Sequence, residues 1–288
     1  MGASAVGRTP KLSEVRRARL PTIQMFENGA RMARIVLTAF QNSSRLELWK
    51  AGWLRTQPFA FSNFHTVRLP NLQTFSSMII TVASLKGGQA KTTSAVHIAA
   101  LMQADAKTLL VDGDPNRSAL NWHKRKGFSF DVCDERQAVK FSKDFANIVF
   151  DTQARPSRED LEILAGGCDL LIIPLTPDAL SLDTLFAFTD SLKQLGAKQF
   201  KVLLTIVPPR PATDGVFVRQ TLEKAGLPVF QRDIRRYKAY QKAALAGVLV
   251  KDVADDYAAA AWSDYSAIVQ EISRSKTEAP DQHEPANL

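Results

Sequence analysis

The sequence predicts an α/β protein, a doubly wound and mostly parallel sheet with helices on both faces. Three observations carry that prediction. From Met78 onward, runs rich in Val, Ile and Leu recur without polar alternation, which marks strands buried on both faces. Stretches of helical length and period lie between them. Strand and helix alternate, the pattern of parallel strands joined by crossover helices.

Taken in order, the first strand is IITVAS, residues 79–84, followed by a helix over Lys91–Gln103. KTLLVDGD and FDVCD supply the next two strands, and a short helix follows them. NIVFDT is the fourth strand, with a helix over Ser157–Ala165; DLLIIPL is the fifth, with a helix over Asp178–Leu195. KVLLTIVP is the sixth, with a helix over Gly215–Ala225, and LPVF reads as a seventh, short strand. Helices near Tyr237–Ala246 and Asp255–Ile272 close a domain spanning 78–273. Ligands of such a sheet belong at the carboxyl ends of its strands.

The flanks read differently. Residues 1–77 hold eleven Lys/Arg against three Glu and no Asp, whereas residues 78–288 hold 26 basic and 26 acidic residues. The chain's net charge of +8 therefore sits in the first segment. Its apolar residues lack sustained period, so it reads as disordered or as a mis-assigned upstream start; a transit peptide or an accessory module are the alternatives. The polar tail, 274–288, is expected to be disordered. No run of about eighteen apolar residues occurs, so no membrane span is expected. Cys133 and Cys168 have no metal-ligand spacing.

The stretch SLKGGQAKTTS, Ser84 to Ser94, joins the first strand to the first helix. It departs from the general phosphate-loop rule of Gly, four residues, then Gly-Lys-Ser/Thr, because Leu85 and Ala90 stand at the two Gly positions. Gly87 and Gly88 nevertheless allow backbone amides to turn inward around an anion, with Gln89 and Ala90 completing the loop. The helix behind it adds its N-terminal amides and dipole. Lys91 is placed to reach the phosphates, Thr92 to hold Mg²⁺ through its hydroxyl, and Thr93 to bind the α-phosphate. A glycine turn with surface lysines would look the same in isolation.

Carboxylates at two later strand ends argue against that plainer reading. TLLVDGDPN ends with Asp112 and Asp114, and NIVFDTQARP places Asp151 after four apolar residues. Carboxylates there can bind Mg²⁺ or orient an attacking water. Any one of them alone reads as a solvated loop aspartate; three in this order after this loop do not.

KGGQAKTT, LLVDGDPNRSALNW, IVFDTQARP and LLIIPLTPDALSLD together resemble the ParA/MinD family of deviant Walker A ATPases. The resemblance covers Met78 to about Ile272. It implies an ATPase using ATP and Mg²⁺ that forms a homodimer around ATP. Lys86 would be the signature lysine crossing to the partner subunit's phosphates. Asp114 would orient water, Asp112 would lie near Mg²⁺, and Asp151 would be the Walker B carboxylate. Where the family commonly has Gly, this chain has Ala90. That residue costs little if its position is helical, and is strained if φ is positive.

Within the family, the segment FQRDIRRYKAYQKAALAG carries Arg232, Arg235, Arg236, Lys238 and Lys242 against one Asp. Such a cluster suits non-specific duplex DNA, whose phosphates it would neutralise; a solvated basic helix face is the plainer reading. The loop phrases are also similar to those of small ParA-type ATPases that position carboxysomes and of compact plasmid-partition ATPases. That resemblance implies a cytoplasmic, nucleoid-associated protein working with a cargo adaptor. A P-loop metabolic ligase or synthetase stays open, as does a membrane-associated MinD-like ATPase, although the polar terminus lacks the amphipathic basic helix the latter needs.

Overall fold

A computed structural model describes residues 78–194 and 199–278. The expectations for 1–77 and for 279–288 lie outside the described residues. Six parallel strands form one sheet in the order β3-β2-β4-β1-β5-β6. They are β1 (Met78–Val82), β2 (Thr108–Asp112), β3 (Asp131–Asp134), β4 (Asn147–Asp151), β5 (Leu170–Leu175) and β6 (Phe200–Leu204). The helices are α1 (Lys91–Met102), α2 (Ser118–Lys126), α3 (Glu135–Phe141), α4 (Arg158–Gly167), α5 (Ala179–Gln194), α6 (Asp214–Lys224), α7 (Lys238–Ala246) and α8 (Ala258–Glu278).

The strands bury both faces because their apolar side chains point both ways. Ile79, Leu109, Ile148 and Ile173 pack on α5 and α6 together with residues of α3 and α4. Ile80, Leu110, Val149 and Ile172 pack on α1, α2, α7 and α8. Local signals set several boundaries. Ser157 caps α4 by accepting the Asp160 amide while the Asp160 carboxylate takes the Ser157 amide, a reciprocal capping box. Asp134 caps α3 through the Gln137 amide.

Three expectations change. LPVF adds no strand: Val229 makes only an isolated bridge to Val202, since Pro228 has no amide to donate to a ladder. The pattern also passed over α2, where only Ala119 and Trp122 are buried; two apolar residues leave no visible period. Finally, α8 runs past Ile272 to Glu278, so Arg274–Glu278 are helical rather than part of a disordered tail.

Candidate nucleotide site

Strand register assembles the site. Val82 of β1 pairs with Asp151 of β4, and Asp151 pairs with Asp112 of β2. The carboxyl ends of three adjacent strands therefore present the loop and two carboxylates side by side. Between β1 and α1, Gly88 adopts φ 81°, and a Cβ at either Gly87 or Gly88 would meet nothing within 4 Å. The two glycines thus border open space.

The loop is held from behind. Gln89, only 2% exposed, accepts the Lys86 amide at 3.3 Å and donates to Ser181 Oγ at 3.2 Å. Thr205 Oγ1, beyond β6, donates to the Gln89 carbonyl at 3.1 Å. The Arg155 amide donates to the Ser84 carbonyl at 3.0 Å. Gln89 therefore ties the loop to α5 and to the end of β6. The Asp178 carboxylate accepts from Thr176 and Ser181 on the same rim. Burial opposes its ionisation, but those hydrogen bonds outweigh it, with a contribution from the nearby Lys86 ammonium, and the carboxyl lies below its usual range.

Ala90 precedes α1 with φ 58° and ψ 25°. This is the left-handed region, which costs an L-residue about 1–2 kcal/mol relative to the right-handed helix. The strained alternative holds, not the helical one.

Lys91 begins α1 and is buried. Its Nζ lies 2.7 Å from Asp151 Oδ1 and 3.2 Å from Asp114 Oδ2. Thr92 Oγ1 donates to the other oxygen, Asp151 Oδ2, at 2.6 Å. Burial pushes the Asp151 carboxyl up to about 6 against the pull of Lys91 and Thr92, leaving it mostly ionised at neutral pH. Burial also works against Asp114, but there the Asn116 amide, Lys91 and the Asn116 side chain prevail and hold it below the usual range. Thr93 lies one residue further on, half-buried, and its carbonyl is 2.7 Å from His97 Nδ1.

Asp112 differs from the expected metal neighbour. It is wholly buried, and its two oxygens accept the Asp114 amide at 3.1 Å and the Leu120 amide at 3.0 Å. Burial raises its carboxyl despite those bonds. It ties the Asp114 loop to α2. Sequence reading also missed Arg117, a left-handed residue with φ 51° that donates to the Asp112 carbonyl at 2.5 Å and to Glu135 at 3.2 Å.

The basic segment divides. Arg235 grips Asp264 through Nη2 at 2.7 Å and Nε at 3.0 Å. Arg232 lies 3.9 Å from the same acid, and Lys242 is 2.7 Å from Asp255. Arg236 and Lys238 are exposed.

A glycine loop between a central strand and a helix, a lysine at its end and carboxylates on adjacent strand ends define a P-loop nucleotide-binding domain. The sequence profile of the CobQ/CobB/MinD/ParA nucleotide binding domain matches residues 80–250, and the chain belongs to that family. It is 32% identical over 203 residues, 68% of this chain and 94% of the other, to maintenance of carboxysome distribution protein A of Gloeobacter kilaueensis. Among solved structures it is similar to apo McdA of Cyanthece, at 16% identity and TM-score 0.53 over 67% of this chain and 99% of that one. It is also similar to a plasmid partition protein of Borrelia burgdorferi bound to AMPPNP, at 19% identity and TM-score 0.54 over 69% of this chain and 99% of that one.

Proposed function

We propose that this chain is an ATP-driven positioning ATPase that dimerises around ATP, binds duplex DNA without sequence preference and distributes a cargo over the nucleoid in the cytoplasm. The cargo that its relatives favour is the carboxysome. The observation that carries the reading is the cluster of Lys91, Thr92, Asp114 and Asp151 at the foot of the glycine loop, with Lys86 beside it.

In this reading the loop amides and Lys91 hold the phosphates. Phosphate oxygens compete with Asp114 and Asp151 for the Lys91 ammonium, and its departure frees both carboxylates. Thr92 and Asp151 form a hard oxygen donor pair that fits Mg²⁺, which takes one or two protein carboxylates plus phosphate oxygens. Mg²⁺ bound by that pair would neutralise negative charge on the phosphates. Asp114, released by Lys91 and still anchored by the Asn116 amide and side chain, accepts a hydrogen bond from the water that attacks the γ-phosphorus as the bond to the bridging oxygen breaks. Asp112 positions Asp114. Lys86 reaches the partner subunit's phosphates. Arg232, Arg236, Lys238 and Lys242 face DNA, and Arg235 braces them through Asp264. A cargo adaptor raises the slow basal turnover.

Two other readings are less well supported. Among the described residues no helix is long and apolar enough to cross a membrane. The apolar side of α8 is also spent on the core through Ala261, Tyr265, Ile268 and Ile272, which leaves no such face for a MinD-like membrane contact. A metabolic ligase would bind nucleotide but need neither ATP-dependent dimerisation nor DNA. The deciding experiment is sedimentation with ATP, ADP or neither, with and without a random-sequence duplex. An ATP-specific dimer that binds duplex is expected; a monomer in every state that ignores DNA overturns the reading.

A further inference from the structure

The last turn of α2 carries His123, Lys124, Arg125 and Lys126, none of which the nucleotide site uses. This turn is fastened to α7. Trp122 Nε1 donates to the Val248 carbonyl at 3.0 Å, and Arg125 donates to the Ala244 carbonyl. The two backbones approach so closely that a Cβ on Gly247 would lie 2.4 Å from Arg125 Cβ. Gly247 also has φ 74°, so glycine is required there twice over. The contact fixes α2's basic turn beside the helix that carries Lys238 and Lys242.

The four basic side chains have different tasks. His123 Nδ1 accepts the Phe128 amide at 3.0 Å and closes the helix end. Arg125 is the docking group. Lys124 and Lys126 are exposed and have no hydrogen-bond or ion-pair partner among the described residues. Neither α2 nor α7 contains an Asp or a Glu.

We infer that α2's last turn is a second part of the DNA-contacting face, with Lys124 and Lys126 each taking a backbone phosphate of the duplex. This rests on the DNA-binding reading above. Lysines act as point charges that neutralise phosphate without reading bases. Lys124, Lys126, Lys238 and Arg236, with Lys242 partly offset by its Asp255 partner, then form one cationic face across the two docked helices and the segment leading into α7. A duplex fits it better than a protein does, because protein interface cores are depleted in lysine and built on aromatic anchors.

The test is a salt titration of binding to a fluorescent random-sequence duplex at saturating ATP, using the full chain. The Lys124→Gln/Lys126→Gln pair should lower the log–log salt slope by about two for each protomer of the ATP dimer that touches the duplex, at about 0.9 per lost phosphate contact. Its melting temperature and DNA-free ATP turnover should match those of the parent, and Lys124→Arg/Lys126→Arg should restore the slope. A Gln pair with the parent slope, beside a Lys238→Gln variant with a lowered one, overturns this inference and leaves the DNA reading standing. A slope lowered on poly-glutamate but not on duplex assigns the turn to an acidic protein partner instead. If the parent binds no duplex in any nucleotide state, both readings fall.

Discussion

Arg235 and Asp264 form a two-pronged ion pair in which the acid is wholly buried and the base is partly exposed. Three donors of Arg235 converge on that one carboxylate, its own backbone amide included. One of the arginines that the sequence offers as a DNA ligand is thus also a structural one. Arg235→Ala should therefore lower stability by about 2 kcal/mol, less than for a fully buried pair because the guanidinium is partly solvated. The melting temperature should drop by about 4–8 °C at about 2–4 °C per kcal/mol for a domain of this size. Arg236→Ala, measured in the same thermal melts, should leave it unchanged.

Ala90 gives a second test. Ala90→Gly relieves left-handed strain of about 1–2 kcal/mol but loosens the unfolded chain by about 0.5–1 kcal/mol. A net gain is expected, up to about 1.5 kcal/mol. Ala90→Val should lose more than it gains, since a β-branched residue at positive φ is a true outlier. Urea midpoints of the two variants should fall on opposite sides of the parent.

Asp114→Asn keeps the shape of the side chain while removing its charge. Nucleotide should still bind, because the loop, Lys91, Thr92 and Asp151 are untouched. Turnover should fall on the order of 10²–10³, the typical cost of losing one transition-state contact. Equilibrium binding of a fluorescent ATP analogue, set against phosphate release, separates the two effects. Loss of binding would make Asp114 mainly a partner of Lys91.

Lys86→Ala should abolish the ATP-dependent dimer and leave nucleotide binding to the monomer. Among the described residues no hydrogen bond from the Lys86 side chain braces the loop, whose fixed points are Gln89 and Ser84. Light scattering with saturating ATP reads the mass. A dimer of normal stability would place the crossing contact on another residue.

His97 predicts a pH dependence. It is buried between Trp122, Tyr240, Trp262 and Tyr265, and burial drives it down to about 4 despite the Thr93 carbonyl. The folded state thus binds the imidazole proton less tightly than the unfolded chain does. Its stability is complete above about pH 6.5 and falls as the pH drops towards 4, by roughly 3 kcal/mol if the full shift applies. Carboxylates titrate in the same range, so the quantity to measure is the difference between the parent and His97→Gln. That difference should shrink as the medium is acidified from pH 7 to pH 4.5; a constant difference would contradict the assignment.

Much of the fold was legible in the sequence because buried parallel strands leave unbroken apolar runs; all six strands fall on expected runs, although KVLLTIVP overruns β6, which ends at Leu204. The loop and its carboxylates were legible because they sit where strands end. What escaped depended on tertiary contact. Gln89 looks like a filler in the loop, and only its reach to Ser181 and its carbonyl's bond to Thr205 reveal it as the tie. Asp112 ends β2 and is spent on the Asp114 and Leu120 amides, whereas Asp114, beyond the strand, accepts from Asn116 and Lys91; spacing alone does not separate the two. Arg235 could not be separated from Arg236 before Asp264 was placed against it.

The position of β1 has a consequence for synthesis. Ile80 of this first strand pairs with Val149 on one side and with Leu170 on the other. A ribosome must therefore release the chain well past Leu175 before MIITV has both neighbours. Until then the strand is a bare, apolar edge open to pairing with other chains, and its long-range contacts form slowly. The loop behind it lacks its ties through Gln89, since Ser181 and Thr205 come later still. Nascent or truncated chains ending before β6 should thus be sticky and unable to hold nucleotide, and competence to bind it should arrive late and all at once.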